Sequence, residues 1–197
     1  MKRRTLLQVS GLLFGLPATS SALRALAALP FTAGEVATVF TPAEARTVEL
    51  LCDLVIPPTD TPGAVAAGVP QFIAQVVAEW YTPRERQIFF AGLAALDEIA
   101  RKQAGRPFAE ADDETQRAAL AELARAAADY QPPASPRGFG PAPVDEDSPF
   151  FVKLRELVVL GYYTSEVGAT QELIYVPMPG RFDGEVDFAE VGRQWTS

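Results

Sequence analysis

Apolar residues recur along this chain at spacings of three and four, the period of helices buried along one side. The first such run opens at Thr41. Its hydroxyl can cap the free N–H groups of a first turn, Pro42 suits the first helical position, and Glu44 completes a capping box. Val48, Leu51 and Val55 make the stripe, with Leu50 and Leu54 beside it, and Pro57 and Pro58 stop the helix. The segment Thr59-Asp60-Thr61-Pro62-Gly63-Ala64 predicts a turn with Pro-Gly at its two central positions.

A second helix is predicted over about 70–80, with Phe72, Ile73, Val76, Val77 and Trp80 on one side. The same start signal then returns as Thr82-Pro83-Arg84-Glu85 and opens a long helix to about Ala104. Phe89, Leu93, Leu96 and Ala100 form its stripe, and Gly105 stands where a C-terminal cap belongs. Asp112 or Asp113 caps a fourth helix, with Leu120, Leu123 and Ala127 facing inward. Ser148 and Pro149 start a fifth, which from Leu157 to Tyr163 is apolar on every side and is therefore expected to be buried all round.

Two stretches lack this period. Residues 131–149 hold six prolines and two glycines and predict a long loop, either wrapped around a partner or without fixed structure. Beyond Gly168 prolines and glycines come too often for a helix, so the C-terminal tail is expected to be extended and irregular. The fold class is all-α: about five helices in one domain.

The amino terminus is different in kind. Lys2, Arg3 and Arg4 precede an apolar run from Leu6 to about Ala18, interrupted by Pro17. That is short of the roughly 20 apolar residues of a membrane span and suits a signal peptide of the twin-arginine (Tat) class. Ala25-Leu26-Ala27 offers a cleavage site, so residues 1–27 are assigned to the leader and 28–197 to the helical domain; an uncleaved anchor is the alternative. The expected location is the periplasm, with the Tat translocase as the first partner.

Charge narrows the function. The chain has 17 basic and 25 acidic residues, and the leader takes four of the basic ones (Lys2, Arg3, Arg4 and Arg24) and none of the acidic. The remainder carries a net charge of −12. Nucleic-acid binding, which needs a basic face, is disfavoured, as is attachment to anionic lipid.

Candidate chemistry is sparse. With no histidine and a single cysteine, the chain has neither a Ser-His-Asp nor a Cys-His arrangement, and it lacks the usual zinc, haem or iron–sulfur ligands. Cys52 falls on the stripe of Val48 and Val55 and reads as a buried thiol. Asp60 and Glu166 could in principle form an acid and base pair of glycosidase type. The simpler reading gives Asp60 to an Asx turn and Glu166 to a neighbouring cation.

Three segments stand out by their rigid, aromatic and turn-rich backbone: IPPTDTPGA at 56–64, GYYTSEVGA at 161–169 and ELIYVPMPGRFDG at 172–184. Together with GLAALDEIARKQAGRPF they resemble the gluconate 2-dehydrogenase subunit 3 family, and the resemblance spans about residues 35–188. It implies a non-catalytic small subunit of a periplasmic, flavin-dependent sugar or sugar-acid dehydrogenase complex. FAD would lie in the large subunit, haem c in a cytochrome subunit that accepts electrons, and Arg3 and Arg4 would export the folded pair. An assembly factor that leaves after export is the alternative within this reading. The resemblance carries over no catalytic, cofactor or metal residue. The surface expected to meet the large subunit comprises Thr59, Asp60, Thr61, Pro62, Gly63, Tyr162, Tyr163, Thr164, Ser165, Tyr175, Pro179 and Phe182.

Overall fold

Five helices follow one another in the computed structural model, which describes residues 39–131, 145–174, 187, 189 and 192–194. They are α1 (Pro42–Val55), α2 (Val69–Glu79), α3 (Pro83–Ala104), α4 (Asp113–Ala126) and α5 (Phe150–Tyr163). A 3-10 turn at Phe108–Glu110 and a π-helical turn at Gly168–Glu172 complete an all-α architecture, as expected. Among the described residues no helix is long and apolar enough to cross a membrane. The leader with Arg3 and Arg4, the 132–144 part of the proline-rich loop, and Tyr175, Pro179 and Phe182 lie outside the described residues.

Both Thr-Pro starts form complete capping boxes. The Thr41 N–H donates to Glu44 Oε2 at 2.8 Å, and the Glu44 N–H returns a bond to Thr41 Oγ1 at 3.3 Å. At α3 the corresponding distances are 3.0 and 3.3 Å between Thr82 and Glu85. Asp112, rather than Asp113, caps α4 by accepting from the Thr115 N–H at 2.8 Å. Gly105 ends α3 with φ 70°, a left-handed conformation that costs glycine little. The carboxyl end of α2 has no cation of its own in its last turn; Arg86 of α3 supplies one, donating from Nη2 to the Ala78 carbonyl at 2.5 Å.

The core is arranged about α3, which packs on α4 and α5, while α5 also lies along α2. Phe89 is its aromatic hub, fully buried, with ring centroids 5.2 Å from Phe150, 6.0 Å from Phe40 and 6.1 Å from Tyr81. The predicted stripes are otherwise at hand: Val48, Leu51, Ile73, Val77, Leu96 and Ala100 are all buried. So is Cys52, whose thiol burial pushes up to about 12, with Asp53 and Glu49 adding to the effect. It is protonated at neutral pH and unreactive.

Four expectations need correction. α5 is not buried all round, because Val159, Leu160 and Tyr163 are exposed; α1, α2, α3 and α4 all pack on it yet leave this side open. Trp80 leaves the α2 stripe because the helix ends at Glu79, and it is 76 % exposed. Pro62 and Gly63 are not the central pair of a turn closed across them: the Ala64 N–H bonds to the Ile56 carbonyl instead, and Gly63 has no positive φ. A Cβ there would stand 2.6 Å from the Pro58 nitrogen, so glycine serves close backbone approach. Finally, the chain beyond α5 does not become extended at Gly168. It makes a π-helical turn first, closed by the Leu173 N–H on the Gly168 carbonyl at 3.0 Å.

Candidate functional site

The three turn-rich segments meet at one corner of the molecule, the third through its first residue, Glu172. The 56–64 turn is closed by the Ala64 N–H on the Ile56 carbonyl at 3.0 Å and the Thr59 N–H on the Thr61 carbonyl at 3.0 Å. Tyr162 reaches it from the last turn of α5. Its hydroxyl donates to the Pro62 carbonyl at 2.9 Å and lies 3.5 Å from Thr61 Oγ1. Thr61 in turn donates to Glu172 Oε2 at 2.7 Å, which ties the π-helical turn to the same point. Ser165 bridges on the inner side, donating to the Tyr162 carbonyl at 2.6 Å and accepting from the Gly168 N–H at 3.0 Å. The chain passes so near itself that a Cβ on Gly168 would stand 2.0 Å from the Tyr162 carbonyl oxygen.

This wiring divides the predicted surface. Thr61, Gly63 and Tyr162 are buried and join the corner together. Pro62 and Ser165 are half-buried, and Thr59, Asp60, Tyr163 and Thr164 are exposed. Asp60 does not form the expected Asx turn through a backbone N–H. One oxygen accepts from Thr59 Oγ1 at 3.1 Å, and the other lies 3.5 Å from Arg193 Nη2. Arg193 also donates to the Gln171 carbonyl at 2.6 Å, and the Ile174 N–H bonds to the Gln194 carbonyl at 2.9 Å. The far end of the tail is thereby fastened at the corner. Glu166 is exposed, and its carbonyl accepts from Thr170 Oγ1 at 2.6 Å.

Replacing Tyr162 by phenylalanine leaves the Pro62 carbonyl without its donor in a half-buried place. An unmade bond of this kind costs about 1–3 kcal/mol. Urea unfolding is expected to show a loss in that range with an unchanged slope, and no loss would mean the hydroxyl is idle.

A second polar contact lies deeper. Lys153 of α5 is almost wholly buried, and its Nζ lies 3.2 Å from Glu85 Oε1 and 3.2 Å from the Asp145 carbonyl, above the Tyr81 ring at 5.5 Å. Burial alone would raise the Glu85 carboxyl; the Thr82 N–H and the Lys153 ammonium outweigh it and hold the group below the usual carboxylate range. Neither residue stands out in the sequence as chemistry, and the geometry uses them for structure. Among the described residues there is no cluster of three or more metal-ligating side chains.

The remaining feature is a surface. Trp80, Val159, Leu160 and Tyr163 are the exposed large apolar residues described, at 76, 40, 50 and 40 %. Three of them border two shallow clefts of about 390 Å³ each that share Leu160. One runs between α2 and α5 past Phe72, Val76, Trp80 and Leu157. The other follows α5 past Val152, Arg155, Glu156 and Val159. Sequence periodicity missed this face because α5 is apolar on both sides; only the placement of its neighbours tells which side is covered.

No curated protein and no solved structure matches the chain. The sequence profile of gluconate 2-dehydrogenase subunit 3 matches residues 42–180, from the first residue of α1 past the corner and into the tail. The match takes in all five helices and both turns of the corner, and the chain belongs to the gluconate 2-dehydrogenase subunit 3 family.

Proposed function

We propose that this chain is the non-catalytic small subunit of a flavin-dependent sugar or sugar-acid dehydrogenase complex. It binds and stabilises the FAD-containing large subunit and carries it, already folded, through the Tat pathway to the periplasm. The observation that carries this reading is the family match across the whole helical domain. The twin arginine at Arg3 and Arg4 supports the export step, because that route accepts folded cargo with its cofactor in place. Stabilisation follows from linkage: a partner that binds only the folded large subunit lowers its free energy relative to the unfolded chain. A cytochrome c subunit would take the electrons onward.

The test is export of the pair. With Arg3 and Arg4 both changed to lysine, the large subunit is expected to remain in the cytoplasm with its FAD bound and to disappear from the periplasmic fraction. Arginine's planar fork is not reproduced by lysine where recognition is multidentate. Large subunit at its usual periplasmic level would refute the carrier role. Co-purification of the two chains from the periplasm separates a lasting subunit from an assembly factor that departs.

A further inference from the structure

We propose that the α2–α5 face centred on Leu160, and not the turn-rich corner, seats the large subunit; this inference rests on the function proposed above. The corner is disfavoured by its own wiring, since Thr61, Tyr162 and Ser165 spend their polar groups on one another and on Pro62, Glu172 and Gly168. The α2–α5 face has the opposite character. Trp80, Val159 and Leu160 present apolar side chains to solvent at its clefts, with the exposed Tyr163 beside them packed edge-on against Tyr162. Exposed apolar groups gathered on one face of a chain, rather than scattered singly, mark an interaction surface. An exposed tryptophan beside a cleft is the residue type that most often dominates binding energy.

Charge argues for a different protein as the occupant rather than a second copy. The chain carries a net charge of −8, so two copies repel one another over a distance. On the face itself the charges are mixed. Arg155 and Glu156 stand side by side, both exposed, at the rim of the cleft along α5, with the Arg155 guanidinium 6.0 Å from the Phe151 ring centroid. An apolar centre with one cation and one anion at its rim fits a folded subunit that offers an apolar patch flanked by an acid and a base. It does not fit an anionic polymer or a lipid surface.

The full chain is co-expressed with the large subunit, and binding is measured for Trp80→Lys, Leu160→Lys and Glu122→Lys, the last an exposed position on α4. The first two are expected to weaken the complex roughly thirtyfold or more, as loss of a central anchor does. Their melting temperatures should match the parent, because the side chains replaced are exposed. Glu122→Lys should bind as the parent does. Should a lysine lower the melting temperature, Trp80→Ala and Leu160→Ala remove the same contacts without adding charge and carry the same expectation. Undiminished binding by these variants, or an equal loss with Glu122→Lys, overturns the assignment while leaving the proposed function standing. A parent chain that fails to bind the large subunit refutes that function and this inference together. A homodimer of the isolated chain that Leu160→Lys dissolves overturns the choice of occupant.

Discussion

Replacing Lys153 by methionine is expected to destabilise the protein by about 3–5 kcal/mol, because it leaves the Glu85 carboxylate buried without its cation. For a chain of this size that lowers the melting temperature by roughly 6–20 °C. The pH dependence identifies the cause. In the parent, Glu85 titrates below its unfolded value, so its stabilisation is complete above the unfolded carboxylate range and is lost as pH falls through the folded value. Without Lys153 the effect of burial gains ground and the folded value moves up. The deficit of the variant should therefore be largest at neutral pH and shrink on acidification. Adding Glu85→Gln should recover most of the loss, since glutamine can still complete the capping box and brings no charge. A deficit below about 1 kcal/mol, the worth of a surface ion pair, would show that the contact is not the desolvated one described.

The second large effect belongs to the aromatic hub. Phe89→Ala opens a cavity among Phe40, Tyr81 and Phe150 and is expected to cost about 3–5 kcal/mol. Denaturant unfolding reads this as a lower midpoint at constant slope. The companion change Trp80→Ala should fall within about ±0.5 kcal/mol, although both aromatics lie on apolar stripes in the sequence. Equal losses at the two positions would mean that Trp80 is covered in solution by the rest of the chain.

That contrast shows where the sequence speaks and where it is silent. The starts at Thr41 and Thr82 and the stop at Gly105 were readable because each is decided within a few residues of backbone. The stripe of α3 was readable because it is amphipathic. α5 was not, since a helix apolar on both sides carries no mark of which side its neighbours cover, and its exposed face emerged only with the placement of α2. The corner is visible as an unusual segment, but the sequence does not show that Thr61, Gly63 and Tyr162 are buried within it. Tyrosine, threonine and glycine suit a contact surface and a tight internal joint equally well, and bonds over about a hundred positions, such as Tyr162 to Pro62, decide between them. Lys153 gave no local signal at all. The family resemblance reached further than the residues could, because it draws on the order of motifs along the whole domain.

The two capping boxes have the same letters but different obligations. At Thr41 the half-buried glutamate turns back on its own turn, bonding only Thr41. At Thr82 the carboxylate is divided: Oε2 holds the first turn of α3, and Oε1 holds Lys153, 68 positions along the chain. The carboxylate that caps the start of α3 is thus also the anchor of a distant helix. A signal that looks purely local in the sequence is here half of a long-range latch.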